Sequence, residues 1–241
     1  VDADQGEGVA VLFGNYAGDN MNVKMAVQMA EDDDIEVKYV VANDDVASAP
    51  KAVKEQRHGI AGGFFMWKVG GARAAKGGSL DDVIASAQNV VNRTKSICVG
   101  LEPCVIPALG HSNFKIEDGT MEFGVGHHGE AGTKVEKLKS ASEMAQEMAE
   151  TILNDFDFEE GKEVAVMLSG LGATPVMELY VLYDEVEKVL AKAGHKVWKT
   201  YIGNYVTSLD MNGASLTIVD LDDEIKELLS EPAVPIGMKN Y

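Results

Sequence analysis

The residues of this 241-residue chain best suited to chemistry lie in segment 122–132, where two adjacent histidines sit among glycines. Four glycines within nine residues allow close backbone approach and unusual dihedral angles. Side chains of neighbouring residues on an extended segment point to opposite sides, so His127 and His128 cannot easily share one ligand. A neutral imidazole is a nucleophile near physiological pH. His128 beside a carbonyl carbon could therefore form a reversible hemiaminal, with Glu130 orienting the ring through its other nitrogen.

This segment also has a simpler interpretation, because a histidine in a glycine-rich loop is often only a structural hydrogen bonder. A metal site would need further ligands at workable spacing, and the segment offers none. The other three histidines stand alone in the sequence, and we interpret each as a surface or structural residue: His58, His111 and His195.

Asp19 is the second candidate for chemistry. It follows Gly18 at the expected start of a helix, at the carboxyl end of the first expected strand. Ligands of open α/β sheets bind at such ends. A carboxylate in a pocket without water could accept a proton from a hydroxyl group. The alternative is a helix N-cap, a position that Asp fills well, and the two roles are not exclusive.

Three other motifs have plain structural explanations. Loop 169–175 could cradle an anion with its backbone N–H groups. It lacks the Gly-Lys-Ser/Thr of a P-loop and the spacing of a dinucleotide fingerprint, so we interpret it as a tight turn. The pair Asp44 and Asp45 and the run 220–223 could suggest metal carboxylates, but solvated helix starts explain them more simply. We therefore predict no cofactor and no metal on this chain.

Strands and helices are expected to alternate along the chain, which predicts an α/β fold. The predicted strands cover residues 8–13, 35–41, 96–101, 163–168, 196–202 and 214–219. The predicted helices are one with Met21, Met25 and Met29 at helical spacing, two opened by capping boxes at Ser79 and Ser140, one from Pro175 to Gly194, and one over 221–229. A compact lobe could close near residues 93–96.

Composition narrows the class of partner. The formal net charge of −18 repels a phosphate backbone, so we expect no nucleic acid. No apolar run approaches the roughly 20 residues that would span a bilayer, and the N-terminus has no signal-peptide pattern. Two cysteines make neither a disulfide framework nor a metal cluster. These features predict a cytoplasmic protein without membrane contact.

Five motifs together resemble one family. They are Gly-Asn-Tyr-Ala-Gly-Asp-Asn-Met-Asn at 14–22, Asp-Asp-Val-Ala at 44–47, Met-Glu-Phe-Gly-Val-Gly-His-His-Gly-Glu at 121–130, Leu-Gly-Ala-Thr-Pro at 171–175 and Thr-Ser-Leu-Asp-Met at 207–211. In this order they are similar to the dihydroxyacetone-binding K subunit of dihydroxyacetone kinases, the DhaK family. The resemblance covers the whole chain, and the phrase ending in His-Gly-Glu is its most specific part.

This resemblance implies a fold and a set of site residues. The fold would be α/β with two lobes, each a β-sheet flanked by helices. Residues 1–94 would be the remainder of the N-terminal lobe, and residues 95–241 the C-terminal lobe that carries the covalent histidine. That histidine falls on His128, which would hold the ketone carbon as a hemiaminal, and the aspartate that activates the primary hydroxyl falls on Asp19. The other substrate-binding positions would be three glycines: Gly14, Gly126 and Gly129.

The resemblance also implies partners. The K subunit is a homodimer in this family, and a separate L subunit carries ADP or ATP with magnesium. In many bacteria an M subunit fed by the phosphotransferase system recharges that ADP, and the pathway serves glycerol metabolism.

The chain departs from the family pattern in three ways. An N-terminal segment of roughly 90 residues, holding Gly-Ser-Gly-His-Glu-Pro and a second acid–base histidine, is not in this sequence. A lysine that commonly precedes Asn-Tyr is Gly14 here, and His127 fills a position that is usually apolar. The Gly-Asn-Tyr variant resembles kinases of four-carbon ketoses such as erythrulose, which leaves the substrate open.

Two alternatives accompany the kinase hypothesis. Some family members bind the sugar without catalysis and act as transcriptional coactivators; such a sensor would keep His128 but could lose the base, so Asp19 favours the kinase. An unrelated α/β nucleotide-binding protein is disfavoured by the missing P-loop and glycine fingerprint.

Overall fold

A computed structural model describes residues 2–112, 114–157 and 161–235. Its strands are β1 Val9–Gly14, β2 Val37–Ala42, β3 Thr94–Glu102, β4 Thr120–Phe123, β5 Lys134–Lys137, β6 Glu163–Gly170, β7 Lys196–Gly203 and β8 Asn212–Asp220. Its helices are α1 Ala17–Asp32, α2 Gly63–Ala75, α3 Leu80–Asn92, α4 Ala141–Asp155, α5 Val176–Lys192 and α6 Asp223–Ser230, with a 3₁₀ helix at Lys51–Gln56. This alternation confirms the α/β class.

The strands form two sheets. In the first sheet β1 and β2 run parallel, with Val9 opposite Val37 and Gly14 opposite Ala42. The second has the order β5-β4-β3-β8-β6-β7, and of its pairs β6–β7 is parallel while the rest are antiparallel. Helices flank both sheets, so the two-lobed α/β architecture is confirmed. The start of β3 coincides with the expected boundary near residue 94, and that boundary stays a prediction.

Strand β6 shows how the larger sheet is buried on both faces. Its side chains alternate: Ala165 and Met167 pack with α2, α3 and α6, whereas Val166 and Leu168 pack with α4 and α5. The first of these clusters also contains residues of β2. The described parts of the two lobes therefore share one hydrophobic core.

Local capping signals located the helices well. Ser79 and Asp82 form a capping box at the start of α3, as Ser140 and Glu143 do at α4. Helix α2 was missed because its glycines suggested irregular structure. Gly70 serves packing instead, since a Cβ at that position would lie 2.8 Å from the Leu12 side chain of β1.

Helix α1 is present where the methionine spacing predicted it, but it buries none of its residues. Met21, Met25 and Met29 are 64%, 59% and 64% exposed. The helix is held near the first sheet through its N-terminal turn, where Asn15 donates hydrogen bonds to Glu55 O and Arg57 O.

A buried ion pair ties the loop before α2 to the end of α4. Arg57 donates to the two carboxylate oxygens of Asp155 over 2.7 and 2.8 Å, and the side chains are only 2% and 11% exposed. Burial alone would raise the pKa of Asp155, but the hydrogen bonds and charge of Arg57 outweigh it and lower that pKa. Arg57 Nε also donates to Ala49 O, so all three guanidinium nitrogens donate a hydrogen bond.

We expect Asp155→Ala to lower the free energy of unfolding by about 3–5 kcal/mol, because it leaves the Arg57 charge buried without a partner. Urea unfolding followed by circular dichroism would measure it. The double variant Arg57→Met/Asp155→Leu should recover most of the loss, since neither charge then remains. Asp184→Ala, which breaks an exposed pair with Lys188, should have little effect. An Asp155→Ala protein as stable as the Asp184→Ala control would refute the ion pair as an anchor.

Candidate functional site

The glycine-rich loop between β4 and β5 presents His128 at its tip. Gly124 N–H donates to Cys98 O over 2.7 Å and anchors the loop to β3. Gly126 N–H donates to Glu130 O, and Gly129 N–H donates to Gly126 O, which closes a tight turn. Gly129 has φ +79°, a conformation that favours glycine. The His128 side chain is 65% exposed, so its imidazole is open to a ligand.

Glu130 orients the exposed imidazole. One carboxylate oxygen accepts the His128 backbone N–H at 2.9 Å, and the other lies 3.1 Å from Nδ1 of the ring. Burial alone would raise the pKa of Glu130, but the backbone N–H groups and the His128 ring outweigh it and lower that pKa. A Cβ at Gly126 would overlap this carboxylate, which explains the glycine there. The arrangement favours a proton on Nδ1 and leaves the Nε2 lone pair as the nucleophile.

His127 lies in the same tight turn as His128, so the prediction of an extended segment is wrong, and both histidines line one cleft. The Nε2 atom of His127 is buried and has no hydrogen-bond partner among the described residues. Burial, and then the neighbouring His128, lower the pKa of His127 to about 4, so its ring is neutral at physiological pH. Its carbonyl oxygen accepts a hydrogen bond from Ser208 Oγ, which ties the loop to the segment before β8.

Tyr16, from the first lobe, contacts the His128 imidazole. Its ring meets His128 edge-on, with centroids 4.6 Å apart and planes at 77°. The His58 ring also stacks on Tyr16, with ring centroids 4.9 Å apart and ring planes at 22°. The fold thus brings His58 against an aromatic of the β1–α1 turn, in keeping with its interpretation as a structural residue. Nothing in the sequence around His58 signals this stacking.

Asp19 lies in the first turn of α1, and its side chain is exposed. The helix N-cap is Tyr16, which makes no side-chain capping bond, so the expectation that Asp19 is the N-cap is wrong. Residues three apart on a helix are neighbours. Asp19 follows Tyr16, which contacts His128, by three residues, and its position facing the same site stays a prediction.

Gly14 is the last residue of β1, and its backbone packs closely against a neighbouring segment. A Cβ there would lie 3.1 Å from Gly59 O, and a Cβ on Gly59 would lie 2.8 Å from the Gly14 Cα. The two backbones thus meet almost directly beside His58. Asn20 Nδ2 donates to Asn15 Oδ1 over 2.9 Å and fixes the following turn.

Two buried carboxyl groups lie beneath Tyr16. Asp44 accepts the backbone N–H groups of Ile60 and Gly62, and Asp45 accepts that of Ala47. Both are 2% exposed, so their interpretation as solvated helix starts is wrong; β2 ends inside the core here. Burial raises the pKa of Asp44, and it raises that of Asp45 to about 7.

The Tyr16 hydroxyl reaches into the same buried region. It has no hydrogen-bond partner among the described residues. Burial, and then the charge of Glu130, raise the pKa of this hydroxyl, so it keeps its proton.

The acidic run 220–223 divides into two roles. Asp222 is the N-cap of α6 and accepts Ile225 N–H at 2.8 Å, which confirms a helix start. Asp220 instead pairs with Arg93 at 2.6 Å. In the ranges that the structure covers, no group of three or more His, Cys, Asp or Glu side chains is placed to hold a metal ion.

Loop 169–175 is held by hydrogen bonds to other segments of the chain. Ser169 Oγ accepts the N–H groups of Tyr205 and Val206, both at 3.0 Å. Thr174 Oγ1 accepts Gly213 N–H and donates to Gly213 O. These bonds support the tight-turn interpretation.

A cleft of about 410 Å³ opens beside the histidines. Its walls are His127, His128, Cys104, Ile106, Thr207, Ser208 and Leu209. This size lies in the range of small-molecule sites.

Among the described helices, none is long and apolar enough to cross a membrane.

The fold and this cleft define a two-lobed α/β protein with an oriented, exposed histidine where the lobes meet. The Dak1 domain model matches residues 1–236. The chain therefore belongs to the Dak1 domain family and, within it, to the DhaK proteins.

Two relatives illustrate this membership. The dihydroxyacetone-binding subunit DhaK of PTS-dependent dihydroxyacetone kinase 1 from Listeria innocua is 41% identical over 222 residues, which is 92% of this chain and 68% of the relative. A D-erythrulose kinase from Mycolicibacterium smegmatis is 38% identical over 226 residues, or 94% of this chain and 39% of the kinase.

Two solved structures support this family assignment. The dihydroxyacetone kinase operon co-activator Dha-DhaQ superposes with a TM-score of 0.89 at 29% identity, over 95% of this chain and 71% of that one. The dihydroxyacetone kinase of C. freundii superposes with a TM-score of 0.85 at 28% identity, over 93% of this chain and 40% of that one.

Proposed function

We propose that this chain is the substrate-binding subunit of a ketose kinase that phosphorylates dihydroxyacetone at a primary hydroxyl. The observation that carries the proposal is the exposed His128 imidazole, held at Nδ1 by Glu130 beside a cleft. The names of the DhaK relatives support dihydroxyacetone as the ligand.

The first step is covalent capture. The Nε2 lone pair of His128 forms a bond to the ketone carbon, the π electrons move to the carbonyl oxygen, and that oxygen takes up a proton from solvent. The ring gains positive charge, which the Glu130 carboxylate at Nδ1 stabilises. The resulting hemiaminal fixes a small, flexible sugar, and this orientation lowers the entropic part of the barrier. Gly126 and Gly129 let the backbone approach the bound sugar, as Gly14 does from the other lobe.

The second step is phosphoryl transfer. Asp19 accepts the proton of the sugar's terminal hydroxyl as that oxygen attacks the phosphorus of the phosphoryl donor; the P–O bond to the donor breaks, and its electron pair leaves with the donor. The charge on the transferred group must be spread by cations. We assign these to a nucleotide-binding L subunit that carries ADP or ATP with magnesium, because this sequence has no phosphate-binding motif of its own. An M subunit would recharge the ADP in a phosphotransferase-dependent system, and this chain would pair with a second copy in the cytoplasm.

Two other functions have an observation in their favour. The similarity to the Dha-DhaQ co-activator supports a sugar sensor. The similarity to erythrulose kinases supports a four-carbon substrate. The presence of Asp19 in the sequence favours a kinase over a sensor.

A reconstituted phosphotransfer assay tests the proposal. The chain would be mixed with an L subunit, magnesium, and either ATP or ADP with the recharging system, and supplied with dihydroxyacetone or erythrulose. We expect a phosphorylated ketose whose formation depends on this chain. Sugar binding without formation of a phosphate ester, with either phosphoryl donor, would favour the sensor. A clear preference for erythrulose would show that the substrate is erythrulose and not dihydroxyacetone.

Tyr16→Leu should weaken sugar capture by on the order of tenfold, because the imidazole plane loses its contact with the other lobe. Isothermal titration with dihydroxyacetone would measure this. Tyr16→Phe is the matched control: it keeps the ring, removes only a buried hydroxyl without a partner, and should bind the sugar as the native chain does. Equal binding by the Leu and Phe variants would show that the ring contact does not orient His128.

A further inference from the structure

A second polar pocket lies at the opposite end of β3 from His128. Its volume is about 420 Å³. Its walls come from the 3₁₀ helix, the ends of α3 and α4, the start of β3 and the end of β8, and they include Lys51, Lys54, Asn92, Arg93, Lys95 and Asp155. Strand β3 rises about 3.3 Å per residue, so roughly 23 Å separates Lys95 from Glu102 at the other end of the strand, two residues before Cys104 of the His128 cleft.

The charges of this pocket do not balance. Lys51 pairs with Asp157 at 2.8 Å, Arg93 with Asp220 at 2.6 Å, and Asp155 is bound by Arg57 beneath the pocket. Each lining carboxylate therefore has a cation partner, although Arg93 also pairs with Asp222 at 3.4 Å. Across the described parts of the chain, neither Lys54 nor Lys95 has a carboxylate within ion-pair distance. Two ammonium groups are thus left over in one cavity of a protein whose net charge is −18.

Lys95 is the unusual member. It is 8% exposed, and its Nζ donates to Thr94 O at 3.1 Å and lies 5.6 Å from the centroid of the Phe156 ring. Burial has the largest effect on the pKa of Lys95 and lowers it. The negative charge of Asp155 raises this pKa, and the positive charges of Arg57 and Lys54 lower it further, so the net shift is downward. An ammonium group held in this way is destabilising unless an anion compensates it.

We propose that this pocket binds a small phosphate monoester, with its dianionic phosphate between Lys95 and Lys54. The ammonium groups of the buried Lys95 and the exposed Lys54 supply the cations, and the amide nitrogen of Asn92 adds a donor that has no hydrogen-bond partner in the described structure. The volume holds a phosphate with several attached carbons. The distance from His128 makes this a site separate from the proposed transfer of phosphate to the sugar.

Ligand-dependent thermal stability tests the proposal without any need for kinase activity. The full chain would be heated with glycerol phosphate or inorganic phosphate, and with sodium chloride at matched ionic strength, and the affinities would be measured by calorimetry. We expect glycerol phosphate to raise the thermal midpoint above the chloride control, and a smaller rise with inorganic phosphate.

Lys95→Met and Lys54→Met should each weaken glycerol phosphate binding at least tenfold. Lys95→Met should fold and be no less stable than the native chain without ligand, because it removes a buried, unpaired cation. Lys188→Met, on the exposed face of α5, should bind as the native chain does. A midpoint that rises no more than in chloride, tighter binding of inorganic phosphate than of the ester, or binding that survives both pocket substitutions would overturn the proposal.

Discussion

His128→Ala should abolish covalent capture of dihydroxyacetone and lower kcat/KM for phosphotransfer by at least about 10³-fold, because no other side chain can replace the nucleophile. Among the described residues, His127 is the nearest candidate in sequence, but its Nε2 is buried. Carbon-13 NMR of sugar labelled at the ketone carbon measures capture directly. With the native chain the resonance should move from the carbonyl range to that of a tetrahedral carbon.

The matched control for this variant is His111→Ala, which removes another exposed histidine. It should leave both the tetrahedral resonance and the turnover unchanged. Capture that persists in His128→Ala would place the covalent bond elsewhere. A variant that loses the tetrahedral resonance but keeps full turnover would separate covalent capture from catalysis.

Asp19→Asn should impair phosphoryl transfer and leave covalent capture of the sugar intact. The amide keeps the size of the side chain but cannot accept the hydroxyl proton, so kcat should fall by roughly 10²–10⁴-fold. Capture of the sugar by His128 should stay close to that of the native chain, since Asp19 takes no part in forming the C–N bond. The phosphotransfer assay measures the first quantity, and carbon-13 NMR measures the second.

Asp32→Asn, at the other end of the same helix, is the control for Asp19→Asn and should turn over normally. If Asp19→Asn retained the native kcat, the base would have to be another group, and the account of the second step would fail. If it lost sugar capture as well, Asp19 would be a binding residue instead of a base.

Much of the fold could be predicted because its signals are local. The two capping boxes fixed the starts of α3 and α4, and apolar runs located six of the strands. The short strands β4 and β5 were missed, since four residues beside a glycine-rich loop carry too little pattern. Helix α2 was missed because Gly70 and Gly71 resemble breaks, although close packing on β1 requires the first of them.

The site could be predicted only in part. The bond from Glu130 to the His128 ring follows from residues two apart in one loop, and it is present. The stacking of His58 on Tyr16 joins positions 42 residues apart in sequence, and only the fold brings them together. Likewise the burial of Asp44 and Asp45 depends on where β2 ends within the core, which the acidic pair itself does not reveal.

A crystal soaked with dihydroxyacetone tests the covalent step most directly. We predict continuous electron density from His128 Nε2 to a tetrahedral ketone carbon, with Glu130 still at Nδ1 and the terminal hydroxyl directed toward Asp19. Planar, separate density for the sugar, resolved from the imidazole and with no bond between them, would contradict the account.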